Sequence, residues 1–175
     1  MQTVKRHFFA MRNGIISDTL RKSGSPFKII FGLNLPQIVE IADATEHTAE
    51  LADRLWANNT TRESMLLAPM IYPRAQFNRD TALRWIAMIP TPEIADILCH
   101  RLLRHKDFAA DLAAELVSSA KEMDRYTGLR LFFNLVASRP AEALAAAEQE
   151  LKSPAPLTAR IAAMLADEAR FLLQN

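Results

Sequence analysis

Apolar residues recur at three- and four-residue spacing along almost the whole chain, which is the pattern of amphipathic helices. Within 35–58, for example, apolar side chains stand at Leu35, Ile38 and Ala42. No segment shows the strict alternation of a half-buried strand, and the best continuous apolar run, Phe27–Leu33, is short. The pattern therefore predicts an all-α fold.

Local signals indicate where several of these helices begin. Thr60 and Glu63 have the spacing of a capping box, so we expect Thr60 to cap a helix and the Glu63 side chain to accept from the backbone N–H of Thr60. Thr91 is predicted to cap another helix, with Pro92 at the first helical position, where the missing N–H has no intrahelical partner to lose. That helix is predicted to run to about Arg104.

The helices follow one another as pairs, with a period of roughly 30 residues. The pairs span about 35–58, 60–89, 91–120 and 122–151. A period of this length predicts a HEAT-like or armadillo-type helical repeat solenoid, an α-α superhelix, with a compact helix bundle as the alternative. We expect a single domain over 1–175 that opens with a basic helix over 3–22, with helical pairs from about residue 35 onward.

Composition excludes several classes of protein. The 175 residues are 50% hydrophobic and 23% charged, as in ordinary globular domains. One cysteine, Cys99, excludes a disulfide framework and a cysteine-based zinc site. No stretch of about 20 residues lacks charge, so no membrane span is predicted. We expect a cytoplasmic protein with no metal and no cofactor.

The charges are distributed in blocks, although the net charge is only +1. Residues 1–34 carry +5, 81–106 carry +2 and 125–139 carry +3, whereas 35–60 and 107–124 each carry −4. Stacked helices with one basic face would give this alternation, and so would ordinary solvated faces. Fifteen of the 21 basic residues are arginine, the side chain better suited to bidentate phosphate contact.

Three segments resemble the DNA alkylation repair glycosylases that are built from HEAT-like repeats. The first is Lys28–Ala42, with an aromatic-Gly-aliphatic-x-x-Pro turn that leads into a helix. The second joins the Leu-Trp pair of 52–57 to the Arg-Glu helix start at 62–63. The third, Trp85–Asp96, is similar to the family's catalytic helix-turn. Their order and spacing cover about residues 28–104, and a looser match continues through Arg130.

The resemblance implies removal of positively charged N3- or N7-alkylated purines from duplex DNA. By position, it places the family's catalytic Asp on Asp96 and its phosphate-facing Arg on Arg130. Pro92 stands where the family has its first catalytic Trp. The later Trp, in a Lys-Ala-x-x-Trp-Ala-Leu-Arg motif, has no counterpart in Leu157–Leu173.

Each of these residues has a simpler interpretation. Asp96 is expected in the first turn of its helix, where a carboxylate can satisfy backbone N–H groups. Arg130 could equally be an ordinary surface or interhelix arginine. Arg101, Arg104 and Lys106 form a basic cluster at a helix end, which complements the helix dipole and could also contact DNA phosphates.

Two functions remain open at this point. One is a DNA-binding repeat protein of the alkylation repair type, an enzyme if Asp96 stabilises the cationic transition state. The other is a noncatalytic scaffold that binds a protein or peptide. The oligomeric state is not fixed by the sequence. Cys99, Trp56 and Trp85 lie on apolar faces and are predicted to be core residues rather than site residues.

Overall fold

The computed structural model describes residues 1–175 and is built from α-helices. No strand forms, and one isolated parallel bridge joins Ile29 to Thr61. The all-α prediction is confirmed. The helices are α1 Gln2–Ala10, α2 Gly14–Lys22, α3 Leu35–Asp43, α4 Ala49–Ala57, α5 Arg62–Ile71, α6 Arg79–Ile86, α7 Pro92–Arg101, α8 Ala109–Val117, α9 Glu122–Leu135, α10 Pro140–Leu151 and α11 Ala159–Gln174, with 3-10 helices at Arg74–Gln76 and Leu103–His105.

Each of the four intervals that the periodicity indicates contains two helices: α3 and α4, α5 and α6, α7 and α8, and α9 and α10. The sequence neighbours that pack most closely are α4 with α5, α8 with α9, and α10 with α11, so the predicted pairing within the intervals stays a prediction. The chain divides into two compact units, Met1–Thr81 and Ala82–Asn175. The assignment of one domain to 1–175 stays a prediction.

The basic segment at the N-terminus forms two helices, so the prediction of one helix over 3–22 is wrong. α1 ends at Ala10 and α2 begins at Gly14. The Asn13 side chain caps α2, since its Oδ1 accepts from the backbone N–H groups of Ile15 at 3.0 Å and Ile16 at 3.2 Å. An N-cap residue has extended backbone and therefore interrupts a continuous helix.

The predicted capping box at Thr60 does not form. Thr61, not Thr60, precedes the first residue of α5, and its side chain makes no capping bond. Glu63 is buried and points to a different segment, accepting from the backbone N–H groups of Phe31 and Gly32, both at 3.0 Å. The backbone N–H of Leu33 also donates to Glu63, at 3.4 Å. Glu63 thus pairs three backbone donors of the turn at 31–33, because buried polar groups need a partner, whereas a donor at an exposed helix end can bond to water.

Gly32 gives that turn its shape. Its φ is +77°, which only glycine adopts readily, and a Cβ there would lie 2.2 Å from the carbonyl oxygen of Asn13. The turn predicted at Gly32 is therefore present in the first unit. Gly32 has a left-handed backbone conformation there and packs closely against Asn13.

The second unit is organised around α9, which packs against α7, α8, α10 and α11. Gly128 lets α8 approach closely, because a Cβ at this position would lie 2.8 Å from the backbone nitrogen of Val117. On the side of α7, the buried Cys99 thiol lies 3.6 Å from the carbonyl oxygen of Thr127. This close packing fixes the side chains of α9 relative to those of α7.

The start and end of α7 differ in detail from the prediction. Pro92 is the first helical residue as expected, but Thr91 makes no side-chain capping bond, and its hydroxyl is buried without a hydrogen-bond partner. The helix ends at Arg101 rather than near Arg104, and the chain continues as a 3-10 turn over Leu103–His105. Trp56 and Trp85 are buried, as predicted.

Candidate nucleic-acid interface

Asp96 and Arg130 are brought together by α7 and α9. The Arg130 Nε lies 3.1 Å from the Asp96 Oδ1, and about a third of each side chain is exposed. Asp96 lies in the second turn of α7 and pairs with Arg130 of α9. Its interpretation as a first-turn carboxylate that satisfies backbone amides is therefore wrong. Glu93 is the acidic residue in the first turn of α7. Two residues 34 positions apart thus form one ion pair.

Tyr126 completes this group. Its hydroxyl donates to the Asp96 Oδ1 at 2.9 Å, and it stands one turn before Arg130 on α9. The sequence reasoning missed Tyr126, although its four-residue spacing from Arg130 places both on one face of a helix. The ring centroid of Phe133 lies 5.5 Å from the guanidinium carbon of Arg130.

The environment of Asp96 affects its pKa in opposing ways. Burial is the largest influence and raises the pKa above its ordinary value, and Glu93 adds to the rise. Arg130 and the Tyr126 hydrogen bond favour the ionised carboxylate and oppose this rise, but the pKa of Asp96 stays above its ordinary value. The pKa of Tyr126 is raised by burial and by the Asp96 charge, so the phenol stays a donor at neutral pH.

This group opens into a cleft of about 530 Å³ within the second unit. Asp96, Tyr126 and Arg130 form one side, and the start of α11 with the two residues Pro156 and Leu157 forms the other. Pro92 and Met164 also line the cleft, and neither is aromatic. Tyr126 is the sole aromatic residue in the lining. The lining residues are Pro92, Asp96, Tyr126, Arg130, Pro156, Leu157, Arg160, Ile161 and Met164.

Arg160 brings a second guanidinium to this cleft, and it is exposed. Sequence reasoning missed this residue because it lies in the last helix, 64 positions after Asp96. Its spacing gives no signal, since the packing of α11 against α10 and α9 brings it to the cleft. The cleft therefore holds one carboxylate and two guanidinium groups.

The other predicted DNA contacts lie at the end of α7 and in the turn that follows. Arg101 is the last residue of α7, and its Nε is buried without a hydrogen-bond partner. Arg104 lies in the 3-10 turn, where its Nε donates to the His105 Nε2 at 3.2 Å. The Lys106 ammonium lies 5.9 Å from the centroid of the Phe108 ring.

The prediction that Cys99 is a core residue is confirmed. Cys99 is fully buried, and burial raises its thiol pKa, so it is not a reactive nucleophile. No cluster of three or more His, Cys, Asp or Glu side chains could hold a metal ion. No helix is both long and apolar enough to cross a membrane.

Residues 4–175 match the sequence model of the family described as DNA alkylation repair enzyme. The chain belongs to this family. The match covers the segments in which the resemblance was seen and extends it through α11. The predicted helical repeat protein of the DNA alkylation repair type is therefore confirmed at the level of the family. A comparison with curated protein sequences finds no match.

A solved structure confirms the HEAT-like repeat fold of this family member. The chain is 17% identical to it, with a TM-score of 0.68 over 96% of this chain and 82% of that chain. That structure is described as "A new family of proteins related to the HEAT-like repeat DNA glycosylases with affinity for branched DNA structures". At this identity the likeness is one of fold.

Proposed function

We propose that this family member binds duplex DNA through its second unit, with the phosphate backbone against the cleft and the basic end of α7. The observation that carries the proposal is the Asp96–Arg130 pair in an open cleft that also holds Arg160. Guanidinium groups match the geometry of phosphate oxygens. The affinity for branched DNA named for the structural neighbour favours DNA as the class of partner here as well.

Arginine contacts to phosphate predict a steep dependence on salt. Each phosphate that a protein neutralises releases counterions, so log affinity falls with log salt by a slope of about 0.9 per contact. The Arg104→Gln variant is expected to bind all duplex sequences more weakly and to reduce the slope by about one. Fluorescence anisotropy of a labelled mixed-sequence duplex over a salt series measures both quantities.

Arg139→Gln is the matched control for this experiment. Arg139 is an exposed arginine of the same unit, and its Nη1 is paired with Glu142 at 2.8 Å. It should keep the affinity and the slope of the wild type. An unchanged slope in Arg104→Gln, together with a reduced slope in Arg139→Gln, would contradict the proposed binding surface.

A second proposed function, release of a cationic alkylated purine, is favoured by the position of Asp96. Loss of an N3- or N7-alkylated purine takes the positive charge from the base to the sugar as an oxocarbenium ion. The base leaves as a neutral molecule, water adds to C1′, and the water proton is lost to solvent. A carboxylate held by Arg130 and Tyr126 at the cleft surface would stabilise this charge electrostatically.

The walls of the cleft bear on the rate of this reaction. Pro92 and Met164 offer no aromatic face to a cationic base, a contact that contributes up to ~2 kcal/mol when desolvated. We therefore expect a slower reaction than in a cleft with aromatic walls. DNA binding does not depend on these walls.

The alternative partner is a protein or peptide, and the same anisotropy experiment separates it from DNA. A scaffold for proteins would show negligible binding of the duplex at low salt. A cytoplasmic location remains part of the proposal, since the one cysteine is a free buried thiol, which suits a reducing compartment.

A further inference from the structure

His100 and Asn134 form a second contact between α7 and α9, one helical turn beyond Asp96 and Arg130. His100 follows Asp96 by four residues on α7, and Asn134 follows Arg130 by four residues on α9. The two contacts therefore lie next to each other on the facing sides of these helices. The His100 Nδ1 lies 3.4 Å from the Asn134 Oδ1. The Asn134 Nδ2 donates to the carbonyl oxygen of Arg130 at 2.8 Å.

This chain of hydrogen bonds fixes the state of the His100 ring. The Asn134 amide nitrogen is used as a donor to Arg130, so Asn134 presents its oxygen to His100. An amide oxygen only accepts, so the Nδ1 of His100 carries the proton. In the neutral ring the Nε2 is then left as an acceptor on a largely exposed side chain.

The charges around His100 are mainly positive. Arg104 faces it from the 3-10 turn, Arg101 follows it on α7, and Arg130 faces it from α9. The one negative group nearby on its own face of α7 is Asp96, which is already paired with Arg130. Partial burial and the arginines lower the pKa of His100, so the ring of the free protein is neutral at neutral pH.

We propose that the Nε2 of His100 is a proton-linked phosphate contact, so that binding of a DNA phosphate beside the Asp96–Arg130 pair protonates His100. A proton from solvent adds to the Nε2, and the new N–H donates to a phosphate oxygen while the Nδ1–H stays with Asn134. The bound phosphate offsets the positive charge of the surrounding arginines. This favours the protonated, charged form of the His100 ring. The inference rests on the proposed DNA binding and adds a pH dependence to it.

The sign of the pH dependence follows from this linkage. Below the pKa of His100 in the free protein the ring is already charged, and DNA affinity has its full value. Affinity falls as the pH rises from that pKa to the higher pKa of the complex. A rise of one pKa unit on binding corresponds to an affinity that is about tenfold lower above both pKa values than below them.

The test measures duplex affinity by anisotropy between about pH 5.5 and pH 8 at constant salt. His100→Gln should keep the weaker high-pH affinity throughout, and His100→Arg should bind tightly throughout. His47→Gln is the control, since His47 lies in the first unit, where its Nε2 is 3.1 Å from the Ala42 carbonyl oxygen. That variant should keep the pH dependence of the wild type.

A second readout is the pKa of His100 itself, from the NMR shift of its ring protons with and without the same duplex. A higher pKa in the complex supports the inference. If DNA binds but the His100 pKa stays unchanged, or if His100→Gln keeps the wild-type pH dependence, the inference is wrong and the proposed DNA binding stands. Absence of duplex binding at every pH would overturn both.

Discussion

Replacement of Asp96 by asparagine is expected to slow the release of 7-methylguanine from duplex DNA by about 10²–10³-fold, the typical cost of removing one preorganised electrostatic group. Asparagine keeps the shape of the side chain and can still contact Tyr126, but it cannot balance a positive charge at the sugar. Arg130 would then face the cleft without the carboxylate that lies 3.1 Å from it. DNA binding should change little by comparison.

The assay incubates the full chain with a duplex that carries 7-methylguanine and scores abasic sites by alkaline cleavage. Glu93→Gln is the control, because it removes a carboxylate from the first turn of the same helix and leaves Asp96 in place. Equal release by the wild type and by Asp96→Asn would show that Asp96 has no catalytic role. Absence of release by the wild type would also contradict a catalytic role for Asp96.

The pH profile of the wild type gives an internal check on this prediction. Only the ionised carboxylate can stabilise the cation, so activity should fall as the pH drops through the pKa of Asp96. Burial raises that pKa, which places the fall at a higher pH than for an exposed aspartate. Tyr126→Phe removes a hydrogen bond that lowers the pKa and should move the fall to higher pH still.

Glu63→Ala is expected to lower the free energy of unfolding by about 3–5 kcal/mol, the usual cost of breaking a buried ion pair. The Glu63 carboxylate is fully buried and accepts from the backbone N–H groups of the turn 31–33. It is also 3.0 Å from the Nη1 of the buried Arg62, which in turn donates to the Leu33 carbonyl oxygen. Removing Glu63 therefore takes partners from the turn and from Arg62 together.

Urea unfolding followed by circular dichroism measures this loss. Glu50→Ala is the matched control in the same unit, since Glu50 pairs with Arg54 at the surface and is 77% exposed. It should cost at most about 1 kcal/mol. A loss in Glu63→Ala no greater than in Glu50→Ala would contradict the role given to Glu63.

The fold could be predicted from the sequence because the signals for it are local. The three- and four-residue spacing of apolar positions predicts helices in four intervals, and α3–α10 fall within them, two helices to an interval. Local patterns did not predict the break in the N-terminal helix predicted over 3–22. The Asn13 side chain caps α2 and so divides this segment into two helices. The start of α5 shows the same, since Glu63 bonds to backbone 30–32 residues earlier.

The candidate site could be predicted only in part. The resemblance named Asp96 and Arg130, and the structure brings this pair together, although their roles remain proposals. Tyr126 was missed because nothing in the sequence near this tyrosine indicates a functional role. Its contact with Asp96, 30 residues earlier, forms only in the folded chain. Arg160 was missed because its place in the cleft depends on how α11 packs against α10 and α9. Such partners are chosen by tertiary packing rather than by spacing.

We propose that duplex DNA lies on the second unit, at the cleft with Asp96 and Arg130. Amide hydrogen exchange of the full chain, measured with and without a saturating duplex, locates the bound DNA directly. We predict slower exchange in 101–108, which includes Arg104, and in the segment 152–158 that leads into α11. Protection confined to Met1–Thr81 while the duplex is bound would contradict the claim.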